Sequence, residues 1–122
     1  MAQHYKDLIA WQKAMDLVCA LYDATGTFPK RETYSLTDQM RRAAVSIPSN
    51  IAEGQARYTN REFRHFLRHS RGSPAELETQ VLIAQRRNYV SGPQAEELLK
   101  RATEVGRILG GLINSLKDRI SA

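Results

Sequence analysis

Arg57, Arg61, Arg64, Arg68 and Arg71 recur at steps of four, three, four and three residues, with His65 and His69 beside them. On one continuous helix that spacing gathers the five guanidinium groups into a single row. Guanidinium forks match phosphate oxygens in bidentate geometry, so the row predicts a surface that follows a sugar–phosphate backbone. Glu62 is the only acidic residue between Gly54 and Ser73, which leaves the row little local compensation. Arg41 and Arg42 earlier in the chain, and Arg86 and Arg87 later, extend the candidate surface. The opposing reading is a solvated face, or one that pairs with acids of a neighbouring helix or subunit, for which Glu53, Glu96, Glu97 and Glu104 are available. No RNA-recognition signature accompanies the row. Phe63 and Phe66 fall on the apolar side of the same segment, leaving Tyr58 as the aromatic placed to stack on a base. Binding here would rest on phosphate contacts and shape, with steep salt dependence and little base readout.

Other chemistry-bearing residues do not complete a site. Glu62-Phe63-Arg64-His65 is an E-x-x-H step of the kind that di-iron bundles use twice, but neither His4 nor His69 follows a glutamate by three. His65 and His69 lie one turn apart, yet Arg61, Arg64 and Arg68 oppose a cation there, so neither a metal nor a cofactor is expected. Cys19 has no histidine near it in sequence and reads as a small buried thiol beside the apolar stripe of the first helix. Ser46, Ser49 and Asn50 surround Pro48 and are expected to bond the carbonyls that the proline frees. Gly110-Gly111 is followed by Leu112 rather than by a lysine and hydroxyl pair, so there is no phosphate-cradling loop. The chain is not expected to be an enzyme.

Four segments with apolar residues at three-and-four spacing must position these groups. The first carries Leu8, Trp11, Met15, Val18 and Tyr22, widened by Leu17 and Leu21, with Thr25-Gly26 as a left-handed stop. Trp11 is expected to be a packing anchor. The second opens near Ser35, places Leu36, Met40, Ala43, Ile47 and Ile51 on one face, and should bend at Pro48. Tyr34 just before it is a candidate hydrophobic staple. The third starts at a capping box, Thr59 to Glu62, and its stripe is Phe63, Phe66, Leu67, Ser70, Leu77, Val81 and Ala84. Gly72 and Pro74 predict a kink or short break in its middle. The fourth begins at Ser91-Gly92-Pro93-Gln94 and runs a seam of Leu98, Ala102, Val105, Leu109, Leu112 and Leu116 beside a second stripe of Leu99, Gly106, Ile113 and Ile120.

No segment alternates with period two, so the fold class is all-α, and short connections favour an up-down-up-down antiparallel four-helix bundle. At 122 residues and 42% hydrophobic content, one domain spanning residues 1–122 has room for one modest core. The formal charge of +5 biases it toward anionic partners such as nucleic acid, acidic proteins or lipid headgroups. A single cysteine, no N-terminal signal pattern and no long apolar run point to a cytoplasmic protein without a membrane partner. The wide face of the fourth helix, with Ala102, Gly106 and Gly110 forming a smooth strip, lies either deep in its own bundle or at a subunit interface.

Leu8-Ile9-Ala10-Trp11-Gln12-Lys13-Ala14-Met15, Gln39 to Gly54 (QMRRAAVSIPSNIAEG) and Ser73-Pro74-Ala75-Glu76-Leu77-Glu78-Thr79-Gln80 together resemble a family of small bacterial four-helix-bundle proteins. It comprises the proteins encoded in intervening sequences of 23S rRNA genes and is related to the accessory variability protein of diversity-generating retroelements. The resemblance runs over nearly the whole chain. It implies a homo-oligomer, a pentameric barrel of bundles, and work alongside RNA and a reverse transcriptase. Two functions follow as expectations. One is non-enzymatic binding of RNA or an RNA–DNA intermediate through Arg41, Arg42, Arg57, Arg61, Arg64, Arg68 and Arg71. The other is a protein-interaction scaffold whose basic face pairs with an acidic partner.

Overall fold

The computed structural model describes residues 4–121, and among them every regular element is helical. The α-helices are α1 (Ile9–Thr25), α2 (Leu36–Gln55), α3 (Asn60–Ser70), α4 (Gly72–Arg86) and α5 (Gly92–Ser121), with 3-10 turns at Tyr5–Asp7 and Lys30–Glu32. Only Arg71 separates α3 from α4, so the two form one broken rod and the bundle has four. Arg71 keeps helical dihedrals, but its N–H reaches back three residues to Arg68 rather than four. Pro74 supplies the cause: it has no N–H for the Ser70 carbonyl, and its ring crowds that carbonyl. The expected interruption near Gly72 is therefore present.

Contacts set neighbouring rods antiparallel. Arg41 of α2 meets Thr25 at the end of α1, while Pro48 and Ala52 share a shallow groove with Met15 and Tyr5. Ser46 meets Ser73, and Gly54 meets Phe63 and Phe66, so α2 runs against the broken rod. That rod runs against α5: Arg64 meets Ile113, Arg71 meets Gly110, Pro74 meets Gly106 and Glu78 meets Thr103. Lys13 pairs with Glu104 at 3.2 Å and ties α1 to α5. One apolar core runs between the rods, with Leu17, Leu21, Met40, Ile47, Ile51, Leu67, Leu77, Val81, Val105, Leu109 and Leu116 fully enclosed. The helices fold in water because these periodic faces are buried together.

Several local expectations need correction. The core face of α1 is Ala10, Ala14, Leu17, Leu21 and Ala24, one step around from the stripe of large residues. Trp11 and Val18 only flank it, Tyr22 is exposed, and so is Cys19, which is not a buried thiol. Gly26 is no left-handed stop: it sits at φ −60°, and α1 ends where Pro29 disfavours helical backbone at Phe28, whose ring enters the core. Tyr34 is 95% exposed and staples nothing. α2 runs unbroken past Pro48, whose missing N–H leaves the Ala44 carbonyl without its helical donor. Ser46 donates to the Ala43 carbonyl at 2.7 Å and Asn50 to the Ser46 carbonyl at 2.8 Å, so neither serves the Ala44 carbonyl that Pro48 frees. In α5, Ile113 is buried and Leu112 only partly so. The Ala102, Gly106 and Gly110 strip is covered from within the chain, by Pro74 over Gly106 and the Arg71 guanidinium over Gly110.

Helix ends account for the connections. Thr59 Oγ1 accepts the Glu62 N–H at 3.1 Å. Ser91 and Gln94 form a reciprocal box, Gln94 N–H to Ser91 Oγ at 3.2 Å and Ser91 N–H to Gln94 Oε1 at 2.8 Å. Asn88 turns left-handed at φ 62°, and the Tyr89 and Asn88 amides return to the Ala84 and Gln85 carbonyls in a Schellman closure. Tyr89 then donates to Glu32 Oε2 at 2.8 Å, which fastens the α4–α5 turn to the 3-10 turn before α2. This bond is the main reason the Glu32 carboxyl lies below its ordinary 4.5, against an opposing desolvation, with smaller help from the Leu36 amide, Arg31 and Ser35.

A Cβ at Gly54 would stand 2.7 Å from Phe66 Cβ, whereas one at Gly111 would meet nothing within 4 Å. Gly54→Ala should destabilise the fold by about 1–3 kcal/mol through overpacking, and Gly111→Ala should stabilise it by roughly 0.5–1 kcal/mol through helix propensity, both read by thermal unfolding. Because Glu32 binds its proton more weakly when folded, its contribution is complete above 4.5 and fades as pH falls through the lower folded value. Tyr89→Phe should therefore lower the melting temperature at neutral pH and make its decline in acid shallower.

Candidate nucleic-acid interface

The roll of α3 decides which arginines face outward. Phe63, Phe66, Leu67 and Ser70 point inward, the two phenylalanines against Gly54 and the last two fully enclosed. The opposite side carries Arg61, His65, Arg68 and His69, all exposed. With Arg64 and with Ile120 near the end of α5, they line an open groove of about 550 Å³. His65 and His69 meet Nε2 to Nε2 at 3.1 Å with rings nearly perpendicular. At that distance one imidazole donates and the other accepts.

The predicted row does not act as one unit. Arg57 is not on α3: it lies in the turn after α2, pairs with Glu53 at 3.3 Å and stacks over Phe66 at 4.8 Å. Arg64 is half-buried and its Nε donates to the Ile113 carbonyl at 3.2 Å, so it bridges α3 and α5. Arg71 stands at the rod's break with its guanidinium against Gly110. The side chains of Arg61, Arg68 and Arg71 make no hydrogen bond or ion pair among the described residues; Arg71 packs on Gly110 outside the groove, which leaves Arg61 and Arg68 as the groove's free cations.

Arg41 and Arg42 belong to another part of the molecule. Arg41 donates from Nε to Thr25 Oγ1 at 2.9 Å and stacks 4.3 Å over the Tyr22 ring, near the far end of α2. Arg42 is exposed beside it. Arg86 and Arg87 close α4 at the α5 N-terminus, on the order of 25 Å along the rod from Arg68 at about 1.5 Å per residue, and do not extend the groove. Of the candidate acidic partners, Glu53 takes Arg57, Glu97 takes Arg101 at 3.0 Å and Glu104 takes Lys13. None of these three neutralises Arg61 or Arg68. Tyr58 is fully exposed beside the α3 N-terminus, as a stacking platform requires.

Among the described residues no cluster of three or more His, Cys, Asp or Glu side chains is placed to hold a metal ion. No described helix is long and apolar enough to cross a membrane. What the geometry offers instead is two free guanidinium groups, one anchored guanidinium and two imidazoles along one groove, a donor set for phosphate oxygens. Sequence reasoning found these residues but could not separate the free cations from the tethered ones. That separation depends on the Gly54 contact and the course of α5, which spacing within α3 does not report.

The molecule is thus an all-α antiparallel bundle of four rods with an unpaired cationic groove on its third. It belongs to the 23S rRNA-intervening sequence protein family, whose model matches residues 6–111. The fold is similar to that of a protein of unknown function from the S23 ribosomal protein family of Bacteroides thetaiotaomicron VPI-5482. That crystal structure superposes with a TM-score of 0.78 at 19% identity, covering 87% of this chain and 96% of that one. No curated protein matches the sequence.

The two classes of arginine should separate by stability. Arg64→Ala removes a charge-assisted hydrogen bond to a helix carbonyl and should cost about 1.5–3 kcal/mol in denaturant unfolding. Arg61→Ala and Arg68→Ala should each stay within roughly 0.5 kcal/mol of the parent, as exposed, unpaired positions do.

Proposed function

We propose that the protein binds nucleic acid, structured RNA or an RNA–DNA intermediate, through the α3 groove, without catalysing a reaction. The observation that carries this reading is the freedom of Arg61 and Arg68: two exposed, uncompensated guanidinium groups about two turns apart on one face, with His65, His69 and the anchored Arg64 beside them. Phosphate contacts dominate such a surface, so affinity falls with salt and depends little on sequence. Membership of the 23S rRNA-intervening sequence protein family agrees with an RNA setting.

Self-association is a second reading, favoured by a specific observation. Trp11, Met15, Val18, Val45 and Pro48 line an apolar groove on the outer side of α1 and α2, a surface that a second copy would cover. The pentamer implied by the family resemblance would use this face rather than the glycine strip of α5, which the chain itself occupies. Light scattering at micromolar concentration is expected to give a multiple of 13.8 kDa, and a monomer would contradict it.

For the nucleic-acid reading, fluorescence anisotropy with structured RNA and duplex DNA over a salt series is the test. Arg61→Ala/Arg68→Ala should weaken binding across sequences and reduce the log–log salt slope by about 1.4–1.8, at roughly 0.7–0.9 per lost phosphate contact. Unchanged affinity would remove the groove as the site. A partner that survives nuclease treatment and is lost with the same variant, with no RNA affinity, would make the basic face a protein-docking surface, for example for a reverse transcriptase.

A further inference from the structure

A second cleft, about 570 Å³, opens between the C-terminal end of α1 and the N-terminal half of α2. Tyr22, Tyr34, Asp38, Arg41 and Arg42 give it its chemistry. Arg41 is held in place: its Nε donates to Thr25 Oγ1 at 2.9 Å, and the Thr25 hydroxyl in turn donates to the Leu21 carbonyl at 2.8 Å. Its guanidinium carbon lies 4.3 Å from the Tyr22 ring centroid, so a cation–π pair is already assembled on one side. Tyr34, 95% exposed, makes no hydrogen bond or ring contact among the described residues, although it is a large aromatic side chain. Arg42 is exposed and equally unpaired.

A planar aromatic platform, a fixed guanidinium plane, a free guanidinium and a single carboxylate together match one ligand chemistry. The planes stack on a heteroaromatic ring, the free guanidinium takes a phosphate, and Asp38 accepts from ring N–H or amino groups. Guanine presents two adjacent donors of that kind. Two arginines against one aspartate leave the cleft positive, which suits a phosphorylated ligand. Thr33, Thr37 and Ser46 add hydroxyl groups to the wall that can meet the polar edge of a base.

We propose that this cleft binds a nucleoside 5′-phosphate unit, with the base against Tyr34 and the Arg41–Tyr22 stack and the phosphate on Arg42. The cleft lies at the opposite end of the bundle from the α3 groove, and its ligand is a single unpaired nucleotide rather than a backbone track. The inference does not rest on the α3 reading.

Isothermal titration with 5′-GMP and with inorganic phosphate tests it on the full chain. GMP should bind about tenfold or more tightly than phosphate, and Tyr34→Ala and Arg42→Ala should each weaken GMP by about tenfold, the scale of one lost stack or charge-assisted contact. Both side chains are exposed and unpartnered, so the variants should unfold at the parent's temperature. Arg61→Ala/Arg68→Ala should leave GMP binding unchanged. GMP no tighter than phosphate, or undiminished in Tyr34→Ala, would overturn the proposal. If Tyr34→Ala instead lowers the sedimentation coefficient and GMP does not bind, the cleft is a contact between copies and the proposal is likewise wrong. Loss of RNA affinity in the α3 variant with no GMP binding would sink the cleft alone; GMP binding with RNA affinity untouched in that variant would sink the α3 groove alone. A short single strand bearing one unpaired guanosine then tells a strand from a free nucleotide, by whether it binds more tightly than GMP.

Discussion

The close approach of α2 and α3 at Gly54 is the constraint on which the functional surface depends. Any side chain there would press on the Phe66 Cβ and the Phe63 ring, so only glycine lets the last turn of α2 lie against α3 at this distance. The contact fixes the roll of α3. Once Phe63 and Phe66 face Gly54, Leu67 and Ser70 are driven into the core and Arg61, His65, Arg68 and His69 are turned to solvent. Arg64 falls between the two sides and reaches the Ile113 carbonyl.

The same geometry explains why charge is not cancelled there. Several other cations are held within the fold: Arg57 on Glu53 and Phe66, Lys13 on Glu104, Arg101 on Glu97, Arg41 on Thr25 and Tyr22. These exposed pairs add little to stability individually. They occupy Glu53, Glu97 and Glu104, so none of these three carboxylates reaches Arg61 or Arg68 in the α3 groove. Glycine and proline at the facing positions of α4 and α5 serve packing: Gly106 admits Pro74 and Gly110 admits the Arg71 guanidinium, so the break in the third rod still fits against α5.

Much of this architecture is legible in the sequence, because helical periodicity and cap chemistry are local. The four rods, the Thr59 cap, the Pro93 start of α5 and the interruption before Pro74 all follow from residues within a turn of one another. What is not legible depends on neighbours. In α1 the large side chains Trp11, Met15 and Tyr22 dominate the pattern, but the partner rods come close enough to enclose the small Ala10, Ala14 and Ala24 instead. That rotation exposes Cys19. The glycine strip of α5 suggests an absent partner until Arg71 and Pro74 are seen to fill it. The arginine row is visible as spacing, yet its division into free and tethered members appears only when α5 and Gly54 are in place.

The central claim is that the outward side of α3, not the row as a whole, contacts phosphate. Backbone and arginine side-chain NMR shifts recorded during titration with a structured RNA at low salt test it most directly. The account predicts that the perturbed resonances cluster at Arg61, His65, Arg68, His69 and Ile120, while Arg57 and Arg86 stay still. Shifts concentrated instead on Trp11, Val18 and Val45, or none at all, would contradict it.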